Sequence, residues 1–166
     1  MGKQKILLYA RDPGSANIII PLVPKLIKQN FSVSLFGKDS ALQKYKEFNL
    51  LGENISEHIK TINQNNIRSF ITSEKPDIIV TGTGSDNSER YMWNSAKQLS
   101  IPTIAIVDQW INYGIRFSEY TGGKLEEYSQ NKTHPFIPSK ILVMDELAKK
   151  EIISEGIDAS KIFVSG

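Results

Sequence analysis

Residues 75–86 read Lys75-Pro76-Asp77-Ile78-Ile79-Val80-Thr81-Gly82-Thr83-Gly84-Ser85-Asp86, and this stretch decides the fold. From Asp77 to Thr81 the chain is short, β-branched and without polar alternation. Such a strand is covered on both faces, as in a parallel sheet flanked by helices. A glycine loop follows it. Asp86, with Glu89 three residues on, resembles a capping box that opens a helix to Leu99. Upstream, Thr61 to Ser73 carries Ile67, Phe70 and Ile71 at helical spacing. Downstream, Thr103 to Val107 is another buried strand, ending at Asp108.

The same alternation extends to both ends. Lys5 to Arg11 is a strand closed by Asp-Pro-Gly, and a helix is expected from Ile20 or Pro21 to Gln29. Phe31 to Phe36 is a strand. Ser40 to Phe48 is a helix with Ala41, Leu42, Tyr45 and Phe48 on one stripe, and residues 49–59 leave room for a short edge strand. Residues 109–137 show no sustained period. Ser139 to Met144 is a strand, Asp145 caps a helix that Gly156 ends, and Lys161 to Val164 is a last strand. The expected architecture is α/β: one doubly wound, mostly parallel Rossmann-like domain over residues 1–166, with helices on both faces.

Composition narrows the function. The 166 residues hold 20 Lys plus Arg against 18 Asp plus Glu, without a basic stripe, so nucleic acid is not an expected partner. There is no cysteine, and His58 and His134 have no carboxylate at metal-motif spacing, so no metal and no cofactor is expected. The apolar run from Ile6 to Ala10 is too short for a signal peptide, and no stretch reaches membrane-spanning length. A cytoplasmic protein without a transmembrane segment is the expectation. His58 and His134 read as surface histidines.

In doubly wound sheets, ligands sit beyond the carboxyl ends of the strands. That rule selects three loops. The first holds Asp12, Gly14, Ser15 and Asn17, where backbone N–H groups could face an anion; a plain Pro-Gly turn with a cap explains it equally well. Neither nucleotide-binding glycine signature is present. The second is Gly82, Thr83, Gly84 and Ser85, whose glycines permit close backbone approach. The third begins at Asp108 and continues through Gln109, Trp110, Asn112 and Arg116. Planar polar groups beside aromatic rings suit sugar hydroxyls and C–H faces. The alternative is an aromatic plug with Asp108 paired to Arg116. Asp108 is the first candidate for a general base and Asp12 the second.

The order of segments resembles the N-terminal half of the GT-B glycosyltransferase fold, shared with UDP-N-acetylglucosamine 2-epimerases. The carrying residues are Ile6 to Leu26, Lys75 to Gly82, Ser100 to Ile106, Ser139 to Met144 and Glu155 to Gly166; Asp108 to Tyr113 is similar to a segment of polysaccharide-biosynthesis members. The resemblance implies an acceptor-binding half that shares a nucleotide sugar with a C-terminal donor domain or subunit, and that is inactive without it. It also implies a sugar or glycoconjugate acceptor. The histidine common in the family's first loop is absent, since that loop runs from Asp12 to Asn17. An epimerase-like half and a non-catalytic small-ligand or partner-binding module remain as alternatives.

Overall fold

The structure, a computed structural model, describes residues 2–84 and 86–166. Ser85, one of the candidate residues, lies outside the described residues. Seven strands form one sheet: β1 (Lys5–Ala10), β2 (Ser32–Gly37), β3 (Glu53–Asn54), β4 (Ile78–Thr81), β5 (Thr103–Ile106), β6 (Lys140–Val143) and β7 (Ile162–Val164). Their spatial order is β3-β2-β1-β4-β5-β6-β7, and every pairing is parallel. The sheet is therefore wholly parallel rather than mostly so, with β3 at the edge of the sheet.

The chain builds outward from β1 to β2 and β3, then returns to lay β4 on the other side of β1. The reversal falls between β1 and β4, so their following loops diverge to opposite faces and leave a crevice. On one face Ile6, Leu8, Ala10, Leu35 and Val80 pack with residues of α1 (Pro13–Ile19), α2 (Leu22–Lys28) and α3 (Ser40–Glu47). On the other, Leu7, Tyr9, Phe36 and Ile79 meet α4 (Ile55–His58), α5 (Gln64–Glu74) and α6 (Ser88–Gln98). A further cluster joins Trp93, Val107, Tyr113, Phe117 and Ile141 to α8 (Glu146–Ser154). Fully burying a side chain of this size contributes about 2–3 kcal/mol. That cluster is why residues 109–137 show no period: their aromatics pack one by one from irregular backbone and two short 3-10 turns, with α7 (Leu125–Gln130) as the one α-helical stretch.

Two local expectations are corrected. The first helix begins at Pro13, not near Ile20, because the Asp12 carboxylate accepts from the Ser15 amide at 2.9 Å and Pro13 suits a first helical position. It breaks at Ile20–Pro21, where the proline has no N–H to continue the ladder. Second, Asp86 and Glu89 are not a capping box. Asn87 occupies the cap position of α6, Asp86 accepts from the Ser88 amide at 2.9 Å, and Glu89 turns inward. His58 is exposed, as expected, with one edge of its ring packed against Phe36 and Phe70 and Nε2 2.9 Å from Glu53. His134 likewise contacts the Tyr128 hydroxyl at 2.8 Å.

Candidate functional site

The ends of β1, β4 and β5 deliver their loops to one place, and glycines decide how closely they meet. A Cβ on Gly14 would collide with the Asp108 carboxylate and come within 3.5 Å of Asp12 Oδ1. The candidate bases therefore converge on Gly14 from different loops. A Cβ on Gly82 would strike the Ser15 side chain, so the first and second loops are in contact as well. Ser15 is wholly buried there, and its hydroxyl has no hydrogen-bond partner among the described residues.

Arg116 ties the third loop to the second. Its guanidinium donates to the Thr83 carbonyl and, at 3.3 Å, to the Thr83 hydroxyl; it also donates to Gln109 Oε1. It makes no ion pair with Asp108 among the described residues, contrary to the plug alternative. The loops enclose a cleft of about 390 Å³ lined by Asp12, Gly14, Gly84, Gln109, Asn112 and Arg116, with the buried Arg90 at its base. Asn112 reaches it from a left-handed backbone conformation, φ 56°. Asp108 and Trp110 line a separate, more apolar groove of about 480 Å³ with Ile106, Leu142 and Met144, and Asp108 reaches the cleft's edge at Gly14.

Besides Asp108, two further expected residues are placed apart from the cleft. Asn17 is exposed and lines a separate groove with Pro21, Pro24 and Phe48. The Trp110 indole is 57% exposed and donates to Asp145 at 2.9 Å, so its ring faces solvent beside the groove. A depression of about 440 Å³ near His58, Phe70 and Glu74 is slightly larger than the strand-end cleft. It lies at α4 and α5, and there is no meeting of loops from neighbouring strands there. The convergence of carboxylates, amides and a guanidinium at the strand ends is the better criterion for a site.

The electrostatics sharpen the carboxylates' roles. Burial, and then the charge of Asp12, push the Asp108 carboxyl above its usual value, while Arg116 opposes them. Glu89 is only 1% exposed, and burial followed by the charge of Asp86 raises it to about 7. It lies under the second loop, accepting from the Gly84 amide at 3.2 Å. Its other oxygen is 3.1 Å from the Ser88 hydroxyl, which also meets Asp86 and receives the Tyr9 hydroxyl at 2.9 Å. One serine proton cannot serve both carboxylates at once, and of the two Glu89 is the carboxyl that holds its proton more readily. Burial also pushes Asp86 upward, but hydrogen bonds from Ser88 and Lys38 and the charge of Arg11 outweigh it and leave it below its usual value. Sequence reasoning missed Glu89 and Arg90 as site residues. At the start of a helix an acid reads as a cap or dipole partner, and only the tertiary fold shows that this one is buried.

Among the described residues no group of three or more His, Cys, Asp or Glu is arranged to hold a metal ion. Nor, among the described residues, is any helix long and apolar enough to cross a membrane.

No protein-family model and no curated protein matches the chain. Solved structures do. A UDP-N-acetylglucosamine 2-epimerase superposes with a TM-score of 0.69 at 17% identity, over 99% of this chain and 48% of its own. The UDP-GlcNAc 2-epimerase of Neisseria meningitidis, bound to UDP-GlcNAc, gives 0.68 at 17%, over 98% and 46%. The lipopolysaccharide outer core galactosyltransferase WaaB gives 0.52 at 14%, over 97% and 45%. The chain spans just under half the length of each. Its fold is that of one Rossmann-like half of the GT-B architecture, as the resemblance implied.

Proposed function

We propose that this domain is the acceptor-binding half of a glycosyltransferase, which moves a sugar from a nucleotide-sugar donor to a hydroxyl in polysaccharide or glycoconjugate biosynthesis. The observation that carries the reading is the meeting of Asp108 and Asp12 at Gly14, beyond the carboxyl ends of β1 and β5, with the Asp108 carboxyl raised. A raised carboxylate is a stronger base, better matched to taking a hydroxyl proton near neutrality. Arg116, Gln109 and Asn112 supply donors and acceptors for sugar hydroxyls in the adjoining cleft.

In the proposed reaction, the acceptor hydroxyl gives its proton to Asp108 and its oxygen bonds to the anomeric carbon of the donor. The bond from that carbon to the diphosphate oxygen breaks, and the nucleoside diphosphate departs. Asp12 is the second candidate for the base. Donor binding belongs to the other GT-B half, in the same polypeptide or a separate subunit, and a UDP-sugar is the proposed donor. The cytoplasm is the proposed site of action.

The test is a protein uniting this domain with a donor-binding half, given radiolabelled UDP-sugar and candidate acceptors. Asp108→Asn is expected to lower transfer by about 10²–10⁴-fold, the usual contribution of a general base. Undiminished transfer in that variant overturns the assignment. A second reading, an epimerase half, is supported by the higher fold similarity to the epimerases. It predicts solvent deuterium at C2 of the nucleotide sugar in ²H₂O, which transfer does not.

A further inference from the structure

The first turn of α6 holds both of the loops that frame the cleft, through adjacent residues. Glu89 Oε1 takes the Gly84 N–H at 3.2 Å. Arg90 Nε donates to the Arg116 carbonyl at 3.1 Å and its Nη2 to the Ile115 carbonyl at 3.0 Å, while Nη1 is fixed by Asn87 at 2.8 Å. Both side chains are buried, at 1% and 2% exposure.

The geometry at the second loop is specific. The Thr83 carbonyl and the Gly84 N–H belong to one peptide unit. That peptide is trans, so those groups point in opposite directions from one plane. Glu89 grips that plane by its N–H, and Arg116 grips it by its C=O. If the carboxyl oxygen is removed, the plane is held from the Arg116 side alone. Gly84 is the residue that permits this approach, because a Cβ there would lie 2.7 Å from Glu89 Oε1. Arg90 meanwhile fixes the backbone of Arg116 itself. The guanidinium of Arg116 is thus set at both ends by α6, and it is the cation that opposes the upward push on Asp108.

We infer that Glu89 and Arg90 are positioning residues: they clamp the Thr83–Gly84 peptide and the Arg116 backbone so that the Arg116 guanidinium is fixed in the wall of the strand-end cleft. The inference deepens the proposed function and rests on it only for the purpose the arrangement serves; the clamp itself is testable without substrate.

The experiment follows the ¹³C carboxyl resonance of Asp108 against pH in the full chain. Arg116→Ala sets the scale, raising the Asp108 midpoint by on the order of 0.5 pH unit, the size of one lost neighbouring charge. Glu89→Met, which lacks the acceptor, is expected to raise it similarly, whereas Glu89→Gln, which keeps an oxygen for the Gly84 N–H, leaves it near the wild-type value. Arg90→Lys gives an intermediate shift, and Glu89→Met combined with Arg116→Ala adds nothing further. A merely structural glutamate would not separate Met from Gln in this readout. The proposal is overturned if Glu89→Met and Arg90→Lys leave the midpoint unmoved while Arg116→Ala shifts it, or if Glu89→Gln shifts it as far as Glu89→Met. An Arg116→Ala variant without any shift overturns it too. Should Glu89→Met not fold, hydrogen exchange of the Gly84 amide in the wild type decides: slow exchange is expected, and exchange at the rate of an open loop contradicts the clamp. Because no sugar is involved, a failed clamp and a failed transferase assignment give different results.

Discussion

Replacing Glu89 by Gln removes a titration from the protein interior while retaining an oxygen for the Gly84 amide. The magnitude follows from the carboxyl's environment. Burial and Asp86 raise Glu89 from its usual 4.5 to about 7 in the folded chain. As pH rises above 4.5, the unfolded chain releases this proton first, so the folded state holds more protons than the unfolded one. Stability must then fall with pH across that window. Each pH unit corresponds to about 1.4 kcal/mol, so the full loss by pH 7 is ~3 kcal/mol and the curve flattens above it. Glu89 is almost wholly buried, so solvent does not screen the effect. Other groups titrate in both proteins, and the difference between wild type and variant isolates Glu89. Urea denaturation at a series of pH values gives both curves. The variant should gain on the wild type steadily from about pH 4.5 to about pH 7, by ~3 kcal/mol in all. Parallel curves would refute the placement of Glu89 as a buried, proton-holding carboxyl.

Other consequences are local. Gly82→Ala pushes a methyl into the Ser15 side chain and should lower stability by about 1–3 kcal/mol, read as a drop in denaturation midpoint. Trp93→Phe removes the indole N–H that meets the Thr81 hydroxyl at 2.9 Å and leaves space in a buried cluster; about 2 kcal/mol should be lost in the same assay. Gly14→Ala forces the Asp108 carboxylate aside, and sugar transfer by a protein containing both halves should fall roughly 10²-fold with little change in donor binding. Because Asp108 must be ionised to act as a base and is raised, transfer should decline as pH falls through its raised value, measured as a pH–rate profile.

The sheet was legible because its strands announce themselves: Ile78-Ile79-Val80 and Thr103-Ile104-Ala105-Ile106 have neither alternation nor charge, and a parallel sheet is where such runs survive. The loops that hold the cleft were legible from topology alone. The start of α1 is not legible from Pro21 and Pro24, which mark a first turn near Ile20, because the Asp12 capping bond moves the helix forward to Pro13. Glu89 and Arg90 were opaque for a different reason. Their partners are backbone groups of loops in other parts of the chain, Gly84 on one side and residues 115 and 116 on the other, and no spacing in sequence encodes such a contact. Asn17 shows the converse: adjacency to a site loop did not bring it into the cleft, because the helix turns its side chain outward.

The central claim is that the strand-end cleft receives a sugar. Titrating the ¹⁵N-labelled domain with methyl glycosides and mapping the amide shifts tests it most directly. The account predicts changes concentrated at Gly14, Gly84, Gln109, Asn112 and Arg116, reduced by Asp108→Asn. Shifts that gather instead around His58 and Phe70, or no shift at the cleft up to the solubility of every sugar tried, would contradict it.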